Sequence, residues 1–207
     1  MSRRIFRRGD TTPRQPAGFV TAHIDTLNAA DLHAEPAPPN TPQAALRTSE
    51  DMHPRGLLRI TNGPPDFLQV TTASATGASH TDAVTTTGFH WLIRRDALDQ
   101  AWPHGRIEAK REFARRAVGP ARSFRWTAID DSPQSRTAVD RLRNAGPLND
   151  PLLDLLRDPG TLLIEIAPHP DLDVIRLSHF LGGRDTLTPS EINAMGNLAR
   201  FIAASNT

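Results

Sequence analysis

The distribution of proline is the sequence feature that most constrains how this chain can fold. Seven of the 18 prolines lie within the first 55 residues, where apolar residues are scattered singly. The segment 35–42 alone contains four prolines, and it has too little apolar surface to offset the entropy cost of ordering it. We therefore expect residues 1–55 to form a disordered basic and proline-rich tail, and residues 56–207 to form a single α+β domain.

Apolar periodicity becomes regular from residue 56 onward. Apolar runs on either side of a turn at 62–66 predict a β-hairpin, and a second hairpin is predicted around 168–171. In the second hairpin, pairing Ala167 with Leu172 would place Ile164 opposite Ile175. Two further strands are predicted at 89–93 and 123–129, and helices are predicted at 95–101, 106–118, 133–145, 151–157 and 189–202. This order predicts a largely antiparallel sheet of about five or six strands covered by helices.

Two of the predicted helices have explicit start signals. Ser132 precedes Pro133, which is the pattern of an N-cap followed by proline in the first turn. Thr188 and Glu191 have the spacing of a capping box, in which each side chain satisfies a main-chain amide at the start of the helix.

Basic residues are concentrated in two segments of a chain whose net charge is only +1. Residues 1–14 contain five arginines and one aspartate, a net charge of +4. Residues 106–125 contain seven basic residues and two glutamates, a net charge of +5. Clustered arginine suits phosphate and carboxylate recognition, which predicts a basic arm and a basic helix that bind an anionic partner. The predicted anion-binding residues are Arg3, Arg4, Arg7, Arg8, Lys110, Arg111, Arg115, Arg116, Arg122 and Arg125.

The same helix has a simpler interpretation. Glu108 and Glu112 lie three or four residues from several of its basic side chains, so they can neutralise them as ion pairs on a solvated helix face. The arrangement of Arg111, Arg115 and Arg122 in three dimensions distinguishes the two interpretations.

Composition excludes several classes of function. The chain contains no cysteine, which rules out disulfides, thiol catalysis and cysteine-bound zinc. The sequence has neither a glycine-rich phosphate loop nor a Gly-x-Ser-x-Gly motif, and no cofactor is predicted. Its mean hydropathy is −0.43, and it lacks the run of about 20 apolar residues that a membrane helix requires. With no signal peptide recognised either, we expect a cytoplasmic protein.

One cluster of side chains could support an enzyme. His169, Asp171 and Asp173 lie in or beside the turn of the second hairpin, and imidazole with carboxylates can bind a divalent ion or transfer protons. Their spacing matches no specific metal motif, so these residues are weak candidates for a metal site.

Three functions are therefore considered. The first is a non-enzymatic binding protein that contacts nucleic acid, RNA included, or another polyanion through the arm and the basic helix. The second is a structural or protein-interaction component, such as a viral or phage particle protein or a delivered effector, which docks through its tail. The third is a metal-dependent hydrolase that uses the His/Asp cluster.

Overall fold

A computed structural model of the chain describes residues 17–38, 41, 52–76, 83–94, 102, 105–113, 120–169 and 172–204. The described residues contain four helices: α1 (Ala17–Ala29), α2 (Pro133–Arg143), α3 (Gly146–Arg157) and α4 (Pro189–Ala204). They also contain eight strands: β1 (Ala34–Pro36), β2 (His53–Ile60), β3 (Phe67–Thr76), β4 (Ala83–Arg94), β5 (Ile107–Glu112), β6 (Ser123–Ala128), β7 (Thr161–Pro168) and β8 (Val174–Gly182).

The strands form one sheet in the order β1-β2-β3-β4-β8-β7-β5-β6. Every neighbouring pair is antiparallel. The fold is therefore α+β with a large antiparallel sheet, as predicted, but with eight strands in place of five or six. The two strands that the sequence did not suggest are β1 and β5.

One face of the sheet carries the hydrophobic core. Side chains alternate between the two faces of a strand, and the register aligns apolar residues across seven strands on one of them. This row consists of Leu58, Leu68, Trp91, Leu177, Ile166, Ile107 and Ala128.

All four helices contribute to the same hydrophobic cluster as that row, through residues such as Leu27 of α1, Leu142 of α2, Leu155 of α3 and Met195 of α4. The helices therefore cover one face of the sheet, which we call the helical face. Among the described residues, no helix is both long and apolar enough to cross a bilayer.

Both predicted capping signals are confirmed. The side chain of Ser132 accepts a hydrogen bond from the main-chain amide of Ser135 at 3.2 Å. At α4, Glu191 accepts from the Thr188 amide at 2.7 Å, and the Glu191 amide donates to the Thr188 hydroxyl at 3.3 Å. Glu191 also pairs with Arg184, which holds Asp158 at 2.7 Å and so ties the start of α4 to the end of α3.

The predicted helix at 106–118 is wrong for residues 107–112, which form β5. Ala, Lys, Arg and Glu favour a helix intrinsically, but Ile107 and Ala109 alternate on one face of an extended chain. They pair with Ile166 and Ile164 of β7 and are buried in the core. Strand pairing and burial outweigh the local preference here. The rest of the predicted helix, 114–118, lies outside the described residues, as does the predicted helix at 95–101.

The tail prediction also differs from the structure. Residues 17–38 form α1, β1 and their connections, although they lie within the expected tail of 1–55. Leu27 and Leu32 are buried in the hydrophobic core, and β1 pairs with β2 through Glu35 and Arg59. Burial of these singly spaced apolar residues against the sheet provides the stabilisation that the local sequence lacks.

The structure also differs from the prediction in the register of the second hairpin and in the start of α3. In the second hairpin Ala167 pairs with Arg176 and Ile164 with His179, so the predicted register is wrong by four residues. The loop is longer than expected, which moves every pair along the strands. Gly146 and Pro147 begin α3 and do not merely end α2, because proline fits the first turn of a helix.

Candidate functional site

The second face of the sheet, opposite the four described helices, carries a row of polar residues. Cross-strand pairing places Gln69, His90, Ser178, Glu165, Glu108 and Thr127 side by side from β3 to β6. We call this set the polar row. Four of its members, Gln69, His90, Ser178 and Glu165, are buried. Buried polar side chains of this kind either fix the structure or act in chemistry, and their geometry distinguishes the two roles.

His90 lies between two hydroxyl groups. Its Nε2 is 2.8 Å from Thr71 Oγ1 and its Nδ1 is 2.9 Å from Ser178 Oγ. Burial, with smaller effects from the charge of Arg176 and from His169, lowers the pKa of His90 to about 3. A Cβ at position 88 would lie 2.7 Å from Thr71 Oγ1 and 2.8 Å from His90 Nε2. Glycine at this position therefore gives the imidazole room to reach Thr71.

Glu108 and Glu165 face each other directly across β5 and β7. Arg106 bridges them, with its Nη2 2.6 Å from Glu108 and its Nε 3.4 Å from Glu165. Arg176 adds a contact of 3.5 Å to Glu165. Burial raises the pKa of Glu165, and the charges of Arg176 and Arg106 act against that rise. The two carboxylates are thus held together by Arg106, which immediately precedes β5, while Arg176 of β8 pairs with Glu165.

This arrangement favours a structural role for the polar row. An imidazole with a pKa of about 3 is neutral at physiological pH and is a weak general base, because effective bases have a pKa near the working pH. Both of its nitrogen atoms are already occupied by hydroxyls. The two hydrogen bonds of His90 link Thr71 of β3 and Ser178 of β8 to β4 and so hold these three strands in register.

The structure describes two of the three residues of the predicted His/Asp cluster. His169 is buried at the end of β7, whereas Asp173 is exposed before β8. Asp171 lies outside the described residues. In the described part of the chain no three His, Cys, Asp or Glu side chains are grouped in a way that could hold a metal ion.

The predicted basic residues are divided between the two faces. Lys110 and Arg125 are cross-strand partners, and both side chains are exposed on the face that carries the polar row. Arg111 lies on the other face opposite Phe124, and its guanidinium is 5.8 Å from the ring of Phe113. Arg122 is exposed just before β6. The other predicted residues, Arg3, Arg4, Arg7, Arg8, Arg115 and Arg116, lie outside the described residues.

Tertiary structure adds two arginines that the sequence did not indicate. Arg143 of α2 donates to the main-chain oxygen of Trp126 at 3.5 Å, and Arg157 of α3 donates to that of Ala121 at 3.4 Å. Both therefore reach the segment that contains Arg122 and Arg125. Among the described residues β6 is the last strand in the sheet order, with no strand paired to its outer edge, and the four arginines lie close to that edge. We call them the edge arginines.

A cleft opens beside this edge, between β6 and the start of α3. Arg125 and Arg143 both line it, together with Phe124, Asn149, Asp150 and Leu153, and its volume is about 240 Å³. The edge arginines that were not predicted lie on helices 17 and 36 residues away in sequence from their main-chain partners. The only local signal was their position in the last turn of a predicted helix, where basic side chains are common.

The ion pairs of the edge arginines are exposed and weak. Arg125 is 3.5 Å from Glu112, and Arg143 and Arg157 pair with acidic residues three positions earlier in their own helices. Exposed pairs of this kind typically contribute about 0–1 kcal/mol. An arginine that leaves such a carboxylate to bind a phosphate therefore loses little free energy.

No protein-family model, curated protein or solved structure matches this chain.

Proposed function

We propose that this chain is a non-enzymatic binding protein that contacts nucleic acid or another polyanion along the open edge of β6. The observation that carries the proposal is that Arg125 of β6 and Arg143 of α2 line one cleft, next to Arg122 and Arg157. Cations from a strand and two helices thus lie close to the same edge of the sheet. Rigid elements hold these groups in place, which lowers the entropy cost of binding.

The neighbouring strand extends this surface. Lys110 faces Arg125 across the β5–β6 ladder, so a polymer that follows the edge meets cations from both strands. Each phosphate that such a cation neutralises releases counterions, which makes binding stronger at low salt. The basic arm at residues 1–14 remains a predicted second contact.

The test compares the double variant R122A/R125A with a matched control, R59A/R94A. Arg59 resembles Arg125 closely, because it is exposed on a strand and pairs with Glu35 at 3.4 Å. It lies six strands from β6 in the sheet order, which corresponds to roughly 29 Å at about 4.8 Å per strand. Arg94 is an exposed arginine of β4 that pairs with Asp66 at 2.8 Å, and β4 lies four strands from β6. Both double variants remove two positive charges.

Binding is measured by fluorescence anisotropy with a labelled single-stranded thymidine 20-mer and with labelled heparin, from 50 to 200 mM salt. We expect wild type and control to bind with the same salt dependence. On the oligonucleotide, the slope of log K against log salt should become shallower by about 1.4 in R122A/R125A, because each phosphate that a cation no longer neutralises accounts for about 0.7. Absence of binding to both probes at 50 mM salt, or equal reductions in the two double variants, would refute the proposal.

A further inference from the structure

The cleft beside β6 contains groups that phosphate binding alone does not require. Arg125 and Arg143 can serve phosphates, but Phe124, Asn149 and Asp150 also line the cleft. Its volume of about 240 Å³ is below the roughly 300–1,000 Å³ of clefts that take drug-sized ligands. A cleft of this size suits a single planar ring system.

One wall of the cleft is aromatic. Phe124 is half-buried, and Trp126 holds its ring in an edge-to-face arrangement with 5.9 Å between the centroids. The ring is therefore fixed in position before any ligand arrives. Leu153, one turn after Asn149 on α3 and so on the same side of that helix, supplies apolar surface to the cleft. Stacking of a base on an aromatic side chain typically contributes about 1–3 kcal/mol.

The polar groups of the cleft are available to a ligand. In the described part of the chain, the side chains of Asn149 and Asp150 make no hydrogen bond or ion pair, whereas Asp140 and Asp154 nearby are engaged by Arg143 and Arg157. Asn149 and Asp150 are consecutive residues of α3 that both line the cleft, so the cleft offers the N–H donors of an amide and the two acceptor oxygens of a carboxylate. That combination matches the hydrogen-bonding edge of a base more closely than it matches a phosphate, which a carboxylate repels.

We propose that this cleft is a nucleobase pocket for guanine in a single-stranded nucleic acid, an inference that rests on the proposed function. Guanine is the one standard base whose Watson–Crick edge carries two adjacent N–H donors, at N1 and at the 2-amino group. The Asp150 carboxylate accepts both, and the Asn149 amide donates to O6. The base stacks on Phe124 while Arg125 and Arg143 contact the flanking phosphates.

The experiment uses the full chain and labelled nonamers in which one base varies within a thymidine background: T4GT4, T4AT4, T4CT4 and T9. A further nonamer carries hypoxanthine in place of guanine and so lacks only the 2-amino group. We expect T4GT4 to bind about tenfold more tightly than T9, within the range of a bidentate base contact, and hypoxanthine to fall between them. RNA nonamers are run in parallel, and a guanine preference in either backbone supports the pocket.

Asp150→Asn should remove the preference for guanine while leaving the affinity for T9 unchanged or higher, because a negative charge is removed. Asp154→Asn is the matched control: the residue lies one turn further along α3, pairs with Arg157 and should keep the preference. Equal affinities for all nonamers, or loss of the preference in both variants, would overturn the guanine pocket. In either case binding of T9 with the expected salt dependence would leave the proposed function intact, whereas failure of every nonamer to bind would count against both proposals.

Discussion

The buried imidazole of His90 should make this protein lose stability in acid. Burial holds the pKa of His90 at about 3, against 6.5 for an ordinary histidine. In the unfolded chain the imidazole takes up a proton below pH 6.5, whereas in the folded protein it stays neutral down to about pH 3. Because the unfolded state then binds more protons, the free energy of unfolding falls as the pH decreases through this window.

The size of the effect follows from the pKa difference. Each pH unit between the two values costs about 1.4 kcal/mol, so the two units from pH 6.5 to pH 4.5 cost roughly 3 kcal/mol. That is a large part of the roughly 5–15 kcal/mol by which domains are usually stable. Glu165 acts in the opposite direction, because its raised pKa makes the folded state take up a proton first as the pH falls.

His90→Gln isolates the contribution of the imidazole. Glutamine can still hydrogen-bond Thr71 and Ser178, but it does not titrate. Urea unfolding at pH 7 and pH 4.5 gives the decrease in stability for wild type and for the variant, and the difference between those decreases should be roughly 3 kcal/mol. The contribution of Glu165 is present in both proteins and largely cancels. If the two proteins lose the same stability between pH 7 and pH 4.5, the argument from burial is wrong.

Two further predictions concern packing and helix capping. Gly88→Ala places a methyl group against Thr71 and His90 and should lower the free energy of unfolding by about 1–3 kcal/mol. Gly146→Ala is the control, because a Cβ at that position meets nothing within 4 Å and should not lower it. Equal melting temperatures for the two variants would contradict the predicted steric clash at position 88. Glu191→Ala removes the α4 cap and one carboxylate partner of Arg184, so urea unfolding should show a decrease of about 1–3 kcal/mol, because Arg184 keeps its pair with Asp158. Glu191→Gln, which can still cap Thr188, should lose less. Equal decreases in these two variants would mean that the cap contributes nothing.

Features that depend on neighbours a few residues apart were readable from the sequence. Ser132 caps α2 and Thr188 caps α4 as predicted, because each bond joins a side chain to an amide in the same turn. The turn predicted at 62–66 was also confirmed, since its glycine and prolines separate two apolar runs. The hairpin at 168–171 was predicted as a hairpin, but its register depends on loop length and was wrong.

Features that depend on distant partners were not readable. The segment 107–112 has the composition of a helix, and it is a strand because Ile107 and Ala109 fill a gap between β7 and β6 in the core. The same explanation applies to residues 17–38, whose scattered apolar side chains are buried only when they pack against the folded sheet. Intrinsic preferences amount to a few tenths of a kcal/mol per residue, which is less than the burial of one large side chain contributes.

The candidate site divides in the same way. The sequence by itself determined that basic residues are concentrated around 106–125, and that an arginine-rich segment in a nearly neutral chain is a candidate for anion binding. Only the tertiary structure decided that Lys110 and Arg125 share one face, that Arg111 lies on the other, and that Arg143 and Arg157 join the edge of β6. Charge is a property of each residue and can be counted along the chain, whereas a binding surface is a property of distances between residues that only folding brings together.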